Sequence, residues 1–115
     1  MKVNELIDKL KIFDSSILVR IQIELTQTFN FKIKDVFKSS DKLVIWTNGL
    51  YKIIEGDVSN WHSASTVGEL REQLNKYDSD LNIGIALGNY VFENIRIRMR
   101  IDYGKGIIYL NIGWG

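Results

Sequence analysis

The 115-residue sequence contains no cysteine, no proline and only one histidine. Without cysteine there is no disulfide framework, no thiolate nucleophile and no cysteine-ligated zinc, which is typical of proteins in reducing compartments. Without proline there is no stiff linker, so we expect a single compact domain over residues 1–115. The single histidine leaves few routes to general-base catalysis.

An excess of charge of one sign is also lacking, because 15 Lys and Arg stand against 14 Asp and Glu, for a net charge of +1. The totals therefore predict neither a basic nucleic-acid-binding arm nor an acidic surface that imitates DNA. The apolar runs are shorter than the roughly 18 residues of a membrane span, and Glu5 and Asp8 lie where a signal peptide would be apolar. We predict a cytoplasmic protein with no membrane partner.

The chain contains an internal repeat at an offset of 64 residues. Over positions 3–24 the two copies share seven identities, and the same register places residues 43–45 over residues 107–109. Two copies are fewer than an open solenoid needs. We therefore predict that repeat one (1–55) and repeat two (66–115), joined by a connector (56–65), pack about a pseudo-twofold axis. The identical pairs are Val3 and Val67, Glu5 and Glu69, Leu6 and Leu70, Leu10 and Leu74, Asp14 and Asp78, Ser15 and Ser79, and Ile21 and Ile85.

Each repeat predicts one helix followed by three strands, an αβββ unit, which gives an α+β fold with antiparallel sheet. Helical spacing of apolar residues covers residues 3–13 and 67–77, and Thr66 with Glu69 predicts a capping box. The predicted strands are 17–23, 29–33 and 43–46, then 81–87, 95–101 and 107–110. Asn48-Gly49 favours a type I′ turn, which predicts an added strand over residues 50–55.

His62 is the one ready-made general base, but nucleophilic catalysis would also need a partner hydroxyl and a group that orients the ring. We expect a surface histidine and no enzyme. Asp14 and the pair Asp78 and Asp80 are expected to form turns, because the further ligands of a calcium loop are missing. The glycine motifs lack the Lys-Ser/Thr of a phosphate loop, so we predict no cofactor and no metal site.

Two rows of basic residues are the strongest candidates for a binding surface. Arg96, Arg98 and Arg100 occupy alternate positions of a predicted strand, so their side chains share one face about 6.5 to 7 Å apart, and Lys32 with Lys34 repeats the pattern. Such a row could contact phosphates or an acidic protein surface. It could equally be the solvated face of a sheet.

Aromatic residues are a second candidate, because Trp and Tyr anchor many protein interfaces. Trp61 and Trp114 are predicted to be partly exposed partner contacts. Packing in the core of a small domain is the alternative.

The motif Val-x-Glu-Leu-x-x-x-Leu-x-x-(Phe or Tyr)-Asp-Ser-x-(Ile or Leu)-x-(Val or Ile) occurs at residues 3–19 and again at 67–83. It resembles the opening of many small uncharacterised phage and prophage proteins. The order of helix and strands is also similar to the first part of some type II-A anti-CRISPR proteins. This resemblance implies a non-catalytic module in the bacterial host cytoplasm that binds a host protein, such as a defence nuclease, and inhibits it.

Two functions therefore remain open: a protein-binding inhibitor, and a nucleic-acid-binding regulator that uses the basic strand faces. A net charge of +1 differs from the acidic inhibitors that imitate DNA, so an inhibitor of this type would act on a protein surface or an acidic groove. The sequence is compatible with a monomer or a homodimer, since an exposed edge strand could pair across a twofold axis.

Overall fold

The computed structural model describes residues 1–24, 27–47, 63–88, 90–92 and 96–113. In this part of the chain each of two helices is followed by four strands, which confirms the predicted α+β class. In chain order the elements are α1 (Val3–Leu10), β1 (Leu18–Glu24), β2 (Thr28–Phe31), β3 (Asp35–Ser39), β4 (Lys42–Thr47), α2 (Val67–Leu74), β5 (Asn82–Leu87), β6 (Tyr90–Phe92), β7 (Arg96–Asp102) and β8 (Ile107–Gly113).

The strands form two four-stranded sheets, each built from both halves of the chain. The first sheet has the order β2-β1-β8-β7 and the second has the order β3-β4-β5-β6. The central pairs, β1 with β8 and β4 with β5, are parallel, whereas the outer pairs are antiparallel. The expectation of an antiparallel sheet was therefore wrong. Parallel neighbours are joined through long crossovers, which the alternation within a single strand does not reveal.

The expectation of three strands per repeat was also wrong, because four described strands follow each helix. The strand predicted over residues 29–33 ends at Phe31, after which Ile33 bridges to Ala64 and the Lys34 N–H donates to Trp46 O at 2.9 Å. The chain thus crosses from the first sheet to the second and continues as β3. Strand β6 is the second addition, and the strand predicted over 50–55 lies outside the described residues.

Both helices begin at the predicted residues and end three residues earlier than predicted, at Leu10 and Leu74. Thr66 is the N-cap of α2, and its Oγ accepts a hydrogen bond from the Glu69 N–H at 3.2 Å. The Thr66 hydroxyl also lies 3.2 Å from Glu69 Oε1, to which it donates. This confirms Thr66 as the start of the helix, and the bond that the structure describes for the Glu69 carboxylate is the one from the Thr66 hydroxyl.

The two aspartates after the helices form turns, as predicted. Asp14 Oδ1 accepts from the Ser16 N–H at 3.0 Å, and Asp78 Oδ1 accepts from the Asp80 N–H at 2.9 Å. In both places the aspartate side chain accepts the hydrogen bond of the N–H two residues later, and this bond closes the turn. The chain then continues into β1 or β5.

Each helix is held at its first turn by the other half of the chain. Backbone N–H groups at the start of α1 donate to the turn before β5, and those at the start of α2 donate to the turn before β1. The same exchange links each strand to the residue before the opposite helix. The bonds are Val3 N to Leu81 O (2.9 Å), Asn4 N to Ser79 O (3.0 Å), Ile83 N to Met1 O (2.8 Å), Val67 N to Ile17 O (2.8 Å), Gly68 N to Ser15 O (2.9 Å) and Val19 N to Ser65 O (2.9 Å).

One aliphatic core lies between the helices and the inner faces of both sheets. Fully burying a large aliphatic side chain contributes about 1.5 to 3 kcal/mol, so this core is the main source of stability. Neither described helix is long and apolar enough to cross a membrane. The largest fully buried side chains include Leu6, Leu10, Ile21, Ile33, Leu43, Ile45, Leu70, Leu74, Ile85, Ile108, Leu110 and Ile112.

Candidate partner-binding site

Strand β7 places three arginines on the outer face of the first sheet. Arg96, Arg98 and Arg100 are exposed, whereas Ile97 is buried and Met99 packs against the core. The alternation predicted for this strand is therefore confirmed. Side chains two residues apart on a strand lie about 6.5 to 7 Å from each other, so the arginines form a regular row.

The arginine row lies at an edge of the sheet, with neutral residues beside it. In the described part of the chain β8 is the one strand paired with β7. The register places Tyr109 opposite Arg100 and Asn111 opposite Arg98. Gly113, which has no side chain, stands opposite Arg96. No carboxylate of β8 therefore neutralises the row directly.

A buried amide network lies beside the row and joins β1, β2 and β8. The Asn111 Nδ2 donates to Gln22 Oε1 at 2.8 Å, and the Gln22 Nε2 donates to Asn30 Oδ1 at 3.1 Å. Gln22 is only 7% exposed and Asn111 only 5%. Because buried polar groups need hydrogen-bond partners, this network fixes the register of the two parallel central strands on their outer side.

Glu24 connects the amide network to the arginine row. Its Oε1 accepts from Asn111 Nδ2 at 3.3 Å and is also ion-paired with Arg100 Nη1. Arg100 is thereby held in one orientation. Arg96 and Arg98 have no carboxylate partner among the described residues, so their guanidinium groups are free to bind an external anion.

Arg20 is a fourth cation on the same sheet, in β1, but its head group is tied to the backbone. Its Nη1 donates to Val19 O at 2.8 Å and lies 3.3 Å from Ser65 O. Arg20 thus joins the strand to the residues before α2. It is partly buried and contributes less than Arg96 or Arg98 to any surface contact.

The two lysines do not repeat the arginine row on a strand. Lys32 is exposed and Lys34 is partly buried, and both follow the end of β2, where the chain crosses between the sheets. Strand β2 and β7 are the opposite edges of the first sheet. Three strand spacings of about 4.8 Å separate these edges, so Lys32 is roughly 14 Å from the arginine row.

Tyr103 is an exposed aromatic residue that directly follows β7. It is 86% exposed, in the loop between β7 and β8 that contains Gly104 and Gly106. Gly106 has a φ of +66°, a conformation that glycine adopts readily in a hairpin turn. The loop therefore holds a large amphipathic side chain at the end of the arginine row.

The second sheet has a different outer face, which carries both apolar and polar residues. Trp46 lies beside Ala86, and the Trp46 Nε1 donates to Gly88 O at 2.8 Å. At the edge strand β6, Tyr90 is 71% exposed and stacks on Phe92 with 6.4 Å between ring centroids. Tyr90 and Phe92 lie opposite Leu87 and Ile85, on the inner side of this sheet. The other outer residues of the second sheet include the apolar or small Phe37, Val44, Gly84 and Val91 and the polar Asp35, Ser39, Lys42 and Asn82.

The remaining candidate residues concern catalysis and metal binding. Trp61, His62 and Trp114 lie outside the described residues. Among residues that are described, no three His, Cys, Asp or Glu side chains form a group that could hold a metal. The pKa of Asp14 is lowered, chiefly by the Ser16 N–H and then by the Ser16 hydroxyl, which both favour the carboxylate. This shift belongs to the turn before β1.

Sequence reasoning missed the residues that surround the arginine row. Gln22 and Glu24 alternate with buried isoleucines along β1, and this period-2 pattern was the available signal for an outward polar face. Asn111 gave no such signal, because it interrupts an apolar run. Tyr103 could have been found as an aromatic residue beside a glycine turn.

Comparisons with protein-family models, with curated proteins and with solved structures found no match to this chain.

Proposed function

We propose that this protein is a non-catalytic protein-binding module of phage or mobile-element type, and that it inhibits a host defence effector in the bacterial cytoplasm. The resemblance of residues 3–19 and 67–83 to phage and prophage proteins supports the source, and the likeness to type II-A anti-CRISPR proteins supports the inhibitory role. The binding surface is the outer face of the first sheet at β7.

One observation carries the proposal: Arg96 and Arg98 are exposed at an edge strand and have no carboxylate partner among the described residues. A guanidinium group binds a carboxylate through two parallel hydrogen bonds, so an acidic protein surface suits it well. Arg100 is already paired with Glu24, so the uncompensated positive charge of the row lies on Arg96 and Arg98.

Tyr103 adds the type of anchor that distinguishes a protein interface from a simple charged face. Residues that dominate binding energy in protein complexes are enriched in Tyr, Trp and Arg. Here Tyr103 lies at the end of the same strand that carries Arg98. The combination supports a partner that covers the β7 edge and the following loop together.

A nucleic-acid-binding regulator is the second candidate, and the regular spacing of the arginines favours it. Alternate positions of one strand repeat at about the distance between successive phosphates of a nucleic-acid strand. Salt separates the two candidates. Affinity that depends on phosphates falls steeply between about 50 and 200 mM salt, whereas an interface with an apolar anchor loses much less.

We also propose that the chain arose by duplication and that its halves are related by a pseudo-twofold axis. The identities at an offset of 64 support this, as do the hydrogen bonds that the N–H groups of each helix start donate to the other half, in which donors and acceptors recur 64 residues apart. An internal twofold of this kind replaces a homodimer contact, so we expect a monomer in solution.

The test is capture of the partner by the tagged full chain from a bacterial host lysate, at about 300 mM salt, with and without nuclease treatment, followed by mass spectrometry. A stoichiometric protein that is lost on Arg96→Glu with Arg98→Glu supports the proposal. The matched control is Lys9→Glu with Lys38→Glu, which changes the net charge equally at exposed positions away from β7. Capture that disappears with nuclease would favour the nucleic-acid candidate instead.

A further inference from the structure

We propose that β7 binds its partner by strand addition: an extended acidic segment of the partner protein pairs with the edge of β7 that no described strand covers. This inference rests on the proposed function and names the chemistry of its partner. The segment would alternate acidic and apolar residues. It would become a fifth strand of the first sheet, next to Arg96 and Arg98.

The edge of β7 is suited to strand addition by its length. Seven residues form β7, against four in β2, five in β3 and three in β6, which are the other sheet edges among the described residues. A long edge strand exposes a row of backbone N–H and C=O groups that can pair with another chain. Such pairing is a common way for proteins to bind extended peptides.

The charges on β7 determine what kind of strand would fit. Its cross-strand neighbours on β8 are neutral, so an added strand would supply the first side chains of opposite charge directly beside Arg96 and Arg98. Directly opposed ions of unlike charge stabilise a strand pair, and like charges destabilise it. Acidic residues at every second position of the added strand would match the arginine row.

The same rule disfavours a second copy of β7 as the occupant. Antiparallel pairing of two β7 strands about a twofold axis would place at least one arginine of each strand against an arginine on the outer face, even in a register that pairs Asp102 with Arg96 or Arg98. The edge is therefore protected against self-association while remaining open to an acidic segment. This agrees with the monomer expected from the internal twofold.

The inner side of β7 sets the remaining positions of the segment. Ile97 is buried, while Met99 and Ile101 are partly buried and pack at the margin of the core. An added strand would place its alternate side chains next to these three residues. Apolar side chains there would extend the core outward, so the partner motif is acidic, apolar, acidic, apolar over about five to seven residues.

The probe is a blocked seven-residue peptide that alternates glutamate with valine, titrated calorimetrically into the full chain at about 50 mM salt. We expect binding that weakens at least fivefold on Arg98→Glu, because an attractive cross-strand pair becomes a repulsive one. Arg96→Glu serves as an independent second variant. A peptide with lysine in place of glutamate should recover binding to the Arg98→Glu with Arg96→Glu protein. The Lys9→Glu with Lys38→Glu protein is the control for net charge.

Two N-methylated peptides separate strand addition from simple charge attraction. In an extended strand the glutamate N–H groups point to one edge and the valine N–H groups to the other. Methylation of one set should abolish binding, and methylation of the other set should leave it within about twofold. Equal binding of both methylated peptides would overturn the inference, because the peptide would then be held by charge alone.

Other results would also decide the matter. No binding of the unmodified peptide, or binding unaffected by both arginine variants, overturns the strand-addition inference. If a captured host protein nevertheless requires Arg96 and Arg98, the proposed function stands without it. A thymidine oligonucleotide that binds through Arg98 and excludes the peptide, with no protein captured, would refute both in favour of the nucleic-acid candidate.

Discussion

Asn111 donates a hydrogen bond from Nδ2 to Gln22 Oε1 at 2.8 Å, and these two nearly buried side chains connect the parallel strands at the centre of the first sheet. Removal of one partner should leave the other polar group buried without a hydrogen bond. We expect Asn111→Leu to lower the free energy of unfolding by about 1 to 3 kcal/mol in urea titrations.

The double variant Gln22→Leu with Asn111→Leu provides the internal check on this prediction. When both polar groups are replaced by apolar ones of similar size, the cost falls well below that of Asn111→Leu alone. Asn30→Ala, at the exposed end of the same network, should cost less than about 1 kcal/mol because water can replace its amide. Equal costs for all three proteins would contradict the importance of burial.

Thr66→Ala should destabilise the protein by about 1 kcal/mol, because the Glu69 N–H loses its side-chain acceptor at the start of α2. Thr66→Ser keeps the hydroxyl and should recover most of the stability. Ser63→Ala is the control, an exposed position three residues earlier. The measurement is the midpoint of urea unfolding followed by far-ultraviolet circular dichroism.

Asp14 should make stability depend on pH in acid. Its pKa lies below the usual 3.8 because the N–H of Ser16 and then its hydroxyl favour the carboxylate in the folded state. The resulting stabilisation is complete above the unfolded pKa and is lost as pH falls through the folded pKa. Asp14→Asn should therefore be less stable than the wild type near pH 7, and the difference should vanish in strong acid.

Urea unfolding at a series of pH values, with a carboxyl NMR titration of Asp14, would measure this dependence. Ser16→Ala removes the hydroxyl but keeps the backbone N–H, so it should move the pKa of Asp14 only part of the way back toward 3.8. A stability difference that stays constant from neutral pH into strong acid would show that the charge of Asp14 has no role.

Gly68→Ala should be destabilising although alanine favours helices. A Cβ at residue 68 would lie 2.8 Å from Ser15 Cβ and 3.1 Å from Ser15 O, so the turn before β1 would have to move. We expect a loss of about 1 to 3 kcal/mol, the usual cost of overpacking. Gly104→Ala is the matched control, because its nearest atom is 3.4 Å away in a flexible side chain. Thermal unfolding of both variants tests the comparison.

The parts of the fold that the sequence predicts correctly depend on neighbouring residues. The helices follow from apolar spacing, the N-cap from Thr66, and the arginine face from the alternation along β7. Each of these needs only a few consecutive residues. The turns at Asp14 and Asp78 belong to the same class, because one side chain binds the backbone two residues away.

The parts that the sequence does not predict depend on contacts between distant residues. The parallel pairing of Leu18 with Ile107 and of Lys42 with Asn82 is decided by packing of the whole core. The sequence does not reveal that the chain crosses between the sheets at Ile33, because Ile33 continues the alternation of apolar residues in β2. The next residue, Lys34, already donates its N–H to Trp46 O of the other sheet. At the candidate site, the role of Asn111 as a hydrogen-bond partner is evident only when β1 is known to lie beside β8.

The pairing of strands between the two halves also governs how the molecule folds and unfolds. Residues 18–23 obtain their central neighbour only from residues 107–112, and the start of each helix needs the turn of the opposite half. Bringing such distant segments together costs chain entropy before most of the stabilising contacts can form. Folding should therefore be slow for a chain of this length. Neither half contains all the strands of a sheet. The backbone amide hydrogens of β1 and β8 should therefore exchange with solvent only when the whole protein unfolds, with the free energy of global unfolding.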